Sequence, residues 1–395
     1  MKILVVCQFY FPENFVISKI CEDLVRQGND VTVLTGKPNY GYGYILPKYK
    51  DIKYEEINGV KVHRVNLRPR KKNRLSIIEN YLSFWKNSKT WIKKCRENYD
   101  IVYSMSLSPV TILAAGNLYK KKHHVKHVVH CVDLWPESVL VTHAVKRKSL
   151  TYKILYDWSK KLYKHVDHII VGSPSFREYF ADVLKLPNKK MTYIPQPSLV
   201  ENSDVPPYQY PDGTNILYCG NLGQIQLTEL IPDAMKLLNT DNVKFHIIGM
   251  GPMSDLLVEK INSLNLQDKV FYHGPIPAKQ AAAYFQSADA LYVSLKGEGY
   301  VGKTIPNKLV MSMAFGKPIL AMLKGDGKKV LEEAKGGIFV EENANSLAIG
   351  IEKIARFSKE EKENLGNANR EYFLHHFNLE KVGKDINQIL IDELS

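Results

Sequence analysis

Short apolar runs alternate with amphipathic stretches along the chain, a pattern typical of a parallel β-sheet covered by helices. Ile3–Cys7 and Val31–Thr35 read as buried strands, with an amphipathic helix between them over Ser18–Gln27. This opening predicts a βαβ unit. Further strands of the first half are expected at Val60–Val65, Ile101–Ser104, Val125–His130 and His168–Gly172.

The same alternation restarts after Pro195–Gly213, a stretch rich in Pro, Ser, Asn and Asp that predicts an interdomain linker. A chain of 395 residues is also too long for one hydrophobic core. We therefore expect a first α/β domain over 1–200, a second over 201–378, and a helical segment over 379–395 that packs locally or crosses back to the first domain. Strands of the second domain are expected at Asn215–Tyr218, Val243–Ile248, Val270–Tyr272, Ala290–Leu295, Pro318–Ala321 and Gly337–Val340.

Composition narrows the class of protein. Apolar residues make up 45% and charged residues 24%, which is ordinary for a globular protein. The five cysteines are scattered, so neither a disulfide framework nor a zinc site is expected, and a reducing compartment fits. The first apolar run is broken by Gln8 and ended by Pro12, which favours a buried strand over a signal peptide. No run reaches the roughly 18 apolar residues that span a bilayer, so we expect a protein inside the cell, dissolved or peripheral to a membrane.

The charge is unevenly distributed. Residues 1–200 hold 34 Lys+Arg and 16 Asp+Glu, a formal +18, whereas 201–395 carry a formal −5. The first half therefore attracts an anionic partner, such as a phosphorylated substrate, phospholipid headgroups or nucleic acid, or it is simply a solubilising surface.

Two glycine-rich turns follow predicted strands of the second half and precede helices, at Tyr218–Gly223 and Ile247–Pro252. Glycine there lets backbone N–H groups approach an anion at a helix start, although tight turns also use glycine for steric reasons alone. The ligand-binding candidates of these turns are Gly220, Asn221, Gly223, Gln224, Gln226, Gly249 and Gly251.

A third stretch, Ser294–Pro318, combines glycines with cations. Pro306 suits the first turn of a helix, with Thr304 or Ile305 as its cap. Lys303 and Lys308 then lie near a helix start, which is unfavourable for cations unless an anion is bound. The alternative is a solvated loop with ordinary lysines.

Six segments in register resemble glycosyltransferase family 4, most closely the branch that builds bacterial capsules and O-antigens and includes N-acetylfucosamine transferases. They are Gln8–Asn14, Val33–Tyr40, Asn58–Val65, Asp133–Ser138, Tyr218–Gly223 with Gln224 and Gln226, and Lys303–Lys308 with Gly316–Pro318.

The resemblance implies the GT-B fold, in which two Rossmann-like, doubly wound domains face each other across a cleft. It also implies a metal-independent, retaining transfer from a UDP-sugar, with no cofactor, to a saccharide on undecaprenyl diphosphate at the inner face of the cell membrane. The donor would be held by the turn residues above and by Glu298, Lys303, Thr304, Pro306, Asn307 and Lys308. The family usually has a glutamate where this chain has Met311, so we expect the contacts that hold the donor ribose to differ from those common in the family.

Asp133 and Glu137 flank Trp135-Pro136 directly after a predicted buried strand. Either carboxylate could orient hydroxyls or act as a base, and Trp135 could stack on a sugar; the alternative is a capped loop with a packed tryptophan. The catalytic candidates are Asp133, Glu137, His130 and Lys308, and the acceptor-binding candidates are Asn14, Asn39, Tyr40 and Trp135.

The basic segment Arg68–Arg74 precedes a predicted helix that contains apolar and aromatic residues. Its pattern suits an anionic membrane surface, and the alternative is a core-facing helix with a charged approach loop. The membrane-binding candidates are Arg68, Arg70, Lys71, Lys72, Arg74 and Trp85.

Two other functions compete with a transferase. A UDP-sugar 2-epimerase shares the fold but needs paired acid and base carboxylates, and no clear pair is present. A nucleic-acid-binding module would use the basic half and leave the second half without a role; we therefore expect no nucleic-acid partner.

Overall fold

The computed structural model describes residues 1–71, 73–141, 145–198 and 205–395. Contacts divide the chain into two compact units. The first contains Met1–Pro197 and Leu379–Ser395, and the second contains Ser198–Asn378. The C-terminal segment therefore belongs to the same unit as the N-terminus.

The first unit is a parallel sheet with helices in its crossovers. Its strands are β1 Lys2–Val6, β2 Asp30–Gly36, β3 Tyr54–Ile57, β4 Val60–Val65, β5 Ile101–Ser106, β6 Lys126–Cys131, β7 His168–Val171 and β8 Lys190–Tyr193. Its helices before the second unit are α1 Ile17–Arg26, α2 Arg74–Lys94, α3 Leu113–His123, α4 Glu137–Val141, α5 Leu150–Lys164 and α6 Phe176–Glu178.

The second unit repeats this plan. Its strands are β9 Thr214–Cys219, β10 Val243–Ile248, β11 Val270–Gly274, β12 Ala290–Ser294, β13 Ile319–Met322 and β14 Gly337–Phe339. The helices from here to the C-terminus are α7 Leu230–Leu237, α8 Ser254–Ser263, α9 Ala278–Ser287, α10 Asn307–Ala314, α11 Gly325–Ala334, α12 Ala344–Arg356, α13 Lys359–His376 and α14 Leu379–Asp392.

Both sheets are doubly wound, as the alternating pattern predicts. Within the described residues the strand orders are β3-β4-β2-β1-β5-β6-β7-β8 and β11-β10-β9-β12-β13-β14, and only β3 runs antiparallel to its neighbour. The direction of winding reverses between β1 and β5 in one sheet and between β9 and β12 in the other. Ligands of such sheets bind at the carboxyl ends of the strands at this reversal. The glycine turn after β9 and the cationic stretch after β12 both lie there.

The strands expected from the sequence are present with shifts of one or two residues at their ends. The sequence pattern missed β3 and β8, because both are edge strands with few buried residues and little apolar periodicity. It also missed α13, whose sequence is mostly polar. The linker expected over Pro195–Gly213 falls partly on 199–204, outside the described residues.

Helix α14 packs on α1 through a narrow apolar stripe. Val382, Ile386 and Leu390 are buried in the core of the first unit. Gly383 permits the close approach, because a Cβ at that position would lie 1.9 Å from a carboxylate oxygen of Asp23. A buried ion pair follows the helix, in which Glu393 accepts hydrogen bonds from His168 Nδ1 at 3.0 Å and Lys190 Nζ at 2.5 Å.

We expect Glu393→Ala to lower the free energy of unfolding of the first unit by about 1–3 kcal/mol, because it leaves the buried His168 N–H without its acceptor. The chain's four tryptophans all lie in this unit, so urea unfolding followed by tryptophan fluorescence measures it. Glu380→Ala is the control, since its pair with Lys384 is solvent-exposed and should contribute little to stability. Equal effects of the two changes would contradict a structural role for Glu393.

Candidate functional site

The two glycine turns of the second unit lie directly against each other. The N–H of Gly220 donates to the carbonyl of Ile248 at 2.9 Å. A Cβ on Gly249 would lie 1.8 Å from the carbonyl oxygen of Gly220, and the φ angle of Gly249 is +137°. Only glycine satisfies both conditions.

The residues that follow Gly220 and Gly249 in the two turns are also closely packed. A Cβ on Gly251 would lie 2.3 Å from the carbonyl oxygen of Leu222, and one on Gly223 would lie 2.5 Å from Oε1 of Gln226. Gln224 is exposed, whereas Gln226 is half-buried and its carbonyl accepts the Ser294 hydroxyl. The steric demand of the turns is thus established, and binding by these residues remains a prediction.

Lys308 reaches from the first turn of α10 to the end of β9. Its ammonium donates to the hydroxyl of Tyr218, which in turn donates to the carbonyl of Asn221 at 2.5 Å. Its side chain also covers Gly220, where a Cβ would lie 2.5 Å from Cε of Lys308. Burial lowers the pKa of this ammonium to about 7, with only a small opposing effect of Cys219. Gly220, Asn221 and Lys308 are therefore brought together, as expected of one site.

The expected helix cap is wrong in detail. Pro306 occupies the N-cap position of α10 and Asn307 opens the helix, so Pro306 does not lie in the first turn. The Thr304 hydroxyl donates backwards to the carbonyl of Val301 at 2.9 Å and does not cap the helix, and Ile305 has no polar side chain. Since proline supplies no capping oxygen, the start of α10 has no side-chain acceptor. Such a helix start favours an anion.

The remaining donor candidates lie around this helix start. Lys303 is exposed, and its backbone packs against Gly325, where a Cβ would lie 2.5 Å from the Lys303 carbonyl oxygen. Glu298 is 75% exposed and pairs with Lys296 at 2.9 Å. Met311 packs against the apolar cluster that contains Leu217, Ile248 and Phe285. Met311 therefore has a packing role in this unit.

In the first unit, Asp133 follows β6 at the carboxyl edge of the sheet. Burial raises the pKa of its carboxyl to about 6, against the opposing effects of the Ser138 side chain and the Leu134 N–H. A carboxyl that titrates near neutrality at a sheet edge is typical of functional sites.

Glu137 is held from both sides. One carboxylate oxygen accepts the hydroxyl of Tyr152 at 2.6 Å and the other accepts Arg147 at 2.5 Å. The buried Glu137 carboxylate therefore has a structural role, and neither partner could be recognised from the sequence because they lie 10 and 15 residues further along the chain.

Two other candidates are enclosed in the first unit. His130 is fully buried on β6, its Nδ1 lies 3.0 Å from the Tyr103 hydroxyl, and burial lowers its pKa to about 4. Trp135 is 6% exposed, and its carbonyl accepts the Tyr179 hydroxyl at 3.0 Å. Burial of Trp135 contradicts the expectation that its ring offers a face to a sugar. Burial also keeps the His130 side chain neutral and away from solvent.

The acceptor-binding candidates near the N-terminus include both exposed and buried residues. Asn14 and Tyr40 are exposed. Asn39 is fully buried, and its side chain bonds the backbone of Lys37 and Arg70 and the amide of Asn80. The Asn39 side chain therefore holds its loop in place and has no surface for an acceptor.

The membrane candidates are mostly at the surface. Arg68, Lys71 and Arg74 are exposed, whereas Arg70 lies between the rings of Tyr40 and Tyr81. Trp85 is half-buried and packs edge-to-face on Trp158 with a centroid separation of 5.5 Å. Lys72 lies outside the described residues.

A membrane-spanning helix and a metal-binding cluster are both absent from the described ranges. None of their helices has the length and apolar character needed to cross a membrane. They contain no group of three or more His, Cys, Asp or Glu side chains arranged to hold a metal ion. Metal independence remains a prediction.

Residues 14–197 match the family model Glycosyltransferase Family 4, and residues 213–356 match the model Glycosyl transferases group 1. The first unit thus contains a Glycosyltransferase Family 4 domain and the second a Glycosyl transferases group 1 domain, and their two doubly wound sheets are those of the GT-B fold. The closer resemblance to N-acetylfucosamine transferases remains a prediction.

Curated relatives are distant. The chain is 25% identical over 237 residues to the candidate glycosyltransferase WbjE of Pseudomonas aeruginosa, with 57% of this chain and 58% of the relative covered. It is 26% identical over 162 residues to WcaL of Salmonella typhimurium, a candidate glycosyltransferase of colanic acid biosynthesis, with 40% of each chain covered. The chain thus spans little more than half the length of the first relative and less of the second.

Solved structures share the fold over nearly the whole chain. Sucrose-phosphate synthase of Thermosynechococcus elongatus is 19% identical, with a TM-score of 0.75 and coverage of 99% of this chain and 98% of that one. HepE of Anabaena, solved in complex with UDP and glucose, is 13% identical, with a TM-score of 0.68 and coverage of 99% and 100%.

We expect Gly249→Ala to destabilise the second unit by at least about 3 kcal/mol, since the new methyl group would overlap the Gly220 carbonyl. Gly274→Ala is the matched control, because its φ is also positive but its Cβ would meet nothing within 4 Å. That change should cost about 1–2 kcal/mol. Urea unfolding followed by circular dichroism measures both, and equal losses would show that the turns are not in tight contact.

We also expect Asp133→Asn to stabilise the first unit at pH 8. The pKa of Asp133 is about 6 in the folded chain and near its ordinary value of 3.8 when unfolded, so ionisation opposes folding as pH rises through this range. The gain should approach roughly 3 kcal/mol at pH 8 and shrink at pH 5. Tryptophan fluorescence in urea measures it, with the exposed Asp157→Asn as control; a gain that does not change with pH would contradict the buried carboxyl.

Proposed function

We propose that the protein is a retaining glycosyltransferase that moves an N-acetylated amino sugar, of the N-acetylfucosamine kind, from a UDP-sugar to a lipid-linked saccharide during capsule or O-antigen synthesis. The observation that carries this proposal is the half-buried Lys308 ammonium, which lies over Gly220 at the uncapped start of α10. A single cation, a close glycine backbone and a helix start together suit a diphosphate.

The leaving group explains this arrangement chemically. Breaking the bond between the anomeric carbon and the phosphate oxygen leaves UDP, whose diphosphate gains negative charge as the bond breaks. Lys308 and the first N–H groups of α10 stabilise that charge, with Lys303 at the exposed side of the same helix start. The entering diphosphate also raises the pKa of Lys308 and so secures its positive charge.

The acceptor is deprotonated as the new bond forms. In a retaining transfer the leaving phosphate itself takes that proton, on the same face of the sugar. Asp133, at the carboxyl edge of the first sheet, orients acceptor or sugar hydroxyls. Glu137 and Trp135 act behind it by holding the segment 133–138 in place.

The comparisons support a UDP-sugar as the donor and polysaccharide synthesis as the process. HepE, which shares the fold, was solved with UDP and glucose, and WcaL is described as a candidate enzyme of colanic acid synthesis. An undecaprenyl diphosphate acceptor resides in the inner face of the cell membrane. The exposed cations Arg68, Lys71 and Arg74 suit the anionic surface of that membrane, which makes the protein peripheral there.

We expect Lys308→Ala to lower the rate of UDP release from UDP-N-acetylamino sugars by about 100- to 1,000-fold, because one stabilising charge on the leaving group is lost. Lys317→Ala is the control, since Lys317 is also a partly buried lysine whose pKa is lowered by burial. Melting temperatures of both variants check their folding. Undiminished turnover in folded Lys308→Ala would remove Lys308 from the mechanism, and an epimer formed from the donor alone would favour an epimerase.

We expect UDP binding at pH 8 to take up close to one proton. Lys308, with its pKa of about 7, is mostly neutral at that pH in the free protein and becomes charged beside the diphosphate. The affinity should therefore fall by up to about tenfold per pH unit above 7. Calorimetry in buffers of different ionisation enthalpy measures the uptake; Lys308→Met should abolish it, and uptake that persists in this variant would assign the proton elsewhere.

A further inference from the structure

Helices α2 and α5 each carry an ordered stripe of exposed and half-buried residues along one face. On α2 the stripe is Leu75, Ile78, Leu82, Trp85 and Lys89, and on α5 it is Leu150, Ile154, Trp158 and Lys161. Spacings of three and four residues place each set on one side of its helix. Leu75 and Leu150 are 75% and 73% exposed, and Ile78, Ile154 and Leu82 are also exposed.

The two stripes meet. Trp85 and Trp158 contact edge-to-face, with ring centroids 5.5 Å apart. Both helices return from the carboxyl edge of the parallel sheet to its opposite edge, so they run in the same direction. The apolar residues of both stripes therefore lie on one side of the tryptophan pair, towards the carboxyl edge, and Lys89 and Lys161 lie on the other side.

The lysine side widens into a groove of about 1160 Å³ between α2, α5 and the end of α3. Lys89, Lys121, Lys126, Lys161 and Lys164 line it, and its acidic residue Asp167 is already paired with Lys120 at 2.6 Å. Of the nine Lys or Arg residues on the two helices, seven follow Trp85 or Trp158 on the groove side, and Arg74 and Lys153 precede the tryptophans. The acidic residues of the two helices are Glu79 and Asp157.

We propose that α2 and α5 form one bilayer-binding surface, in which the apolar residues of both helices enter the membrane and the lysine groove holds the phosphate groups of anionic phospholipids. The order of residues carries this inference. Leu75 to Leu82 spans about 10 Å of helix, the depth to which interfacial helices insert. Tryptophan prefers the membrane interface, and lysine prefers the anionic headgroups beyond it.

This surface rests on the membrane attachment proposed above but adds α5 and the groove to it. It also fixes an orientation. Because the starts of α2 and α5 lie at the carboxyl edge of the sheet, insertion of Leu75 and Leu150 places that edge, with Asp133, nearest the membrane and its lipid-linked acceptor.

The test is binding to vesicles of phosphatidylglycerol and phosphatidylcholine in a 1:3 ratio, measured by sedimentation at low salt. We expect Leu150→Glu combined with Ile154→Glu to lower the partition coefficient at least tenfold at any salt concentration. Lys161→Gln combined with Lys164→Gln should lower it roughly tenfold at low salt and little at high salt, because salt screens the charges.

Matched controls come from the second unit. Ile349→Glu changes an isoleucine that is 69% exposed on α12, and Lys279→Gln combined with Lys353→Gln removes two exposed lysines. These controls should bind vesicles as the unchanged protein does. The thermal shift caused by UDP should be the same in all variants, so a loss of vesicle binding is separated from a failure of the donor site.

A second measurement reports depth. Brominated lipids in the vesicles should quench the fluorescence of Trp85 and Trp158, and Trp85→Phe combined with Trp158→Phe should remove that quenching while Trp91 and Trp135 still emit. Vesicle binding by the α5 variants equal to that of the controls would overturn the proposal, even if replacing Arg68, Lys71 and Arg74 with Gln abolished binding. Binding of the unchanged protein to single-stranded DNA but not to vesicles would overturn it as well.

Discussion

The candidate donor site depends on the contact between Lys308 and the Gly220 turn. A side chain at Gly220 would displace Lys308, and a side chain at Gly249 would displace Gly220 itself. The absence of side chains at Gly220 and Gly249 thus leaves room for the Lys308 ammonium. The strand order makes this contact functional, because β9 and β12 are neighbours at the point where the sheet reverses its winding. An anion that enters there meets the cation, the glycine backbone and the start of α10 together.

Burial determines whether Lys308 is charged in this contact. A solvent-exposed lysine is charged at neutral pH whether or not a ligand is present, but the lowered pKa of Lys308 makes its charge depend on the anion beside it. Asp133 shows the converse effect at the corresponding edge of the first sheet, where burial raises the pKa of a carboxyl. At the carboxyl edge of its sheet, each unit therefore holds a group whose charged form is disfavoured by burial, a condition common at functional sites.

The sequence was informative where backbone geometry limits the choice of residue. The alternating apolar runs and the glycines after β9 and β10 predicted both sheets and the two turns because their causes are local. The sequence was less informative where function depends on distant contacts. The partner of Lys308 is Tyr218, 90 residues away, and Glu137 forms an ion pair with Arg147 and accepts a hydrogen bond from Tyr152. Burial of Trp135 and Asn39 likewise depends on packing around them, so a motif that resembled a ligand contact proved to be interior structure.

The charge asymmetry along the chain separates two ways of binding an anion. In the second unit, which carries a formal negative charge, selectivity for a diphosphate must come from one well-placed ammonium and from backbone dipoles, since the overall field repels anions. In the first unit many lysines and arginines act together, and their exposed side chains suit a surface of headgroups without fixed geometry. A half-buried cation at a fixed position can hold a ligand of defined shape, whereas many exposed cations can hold an extended anionic surface. The protein therefore needs its excess of positive charge only in the unit that we expect to face the membrane.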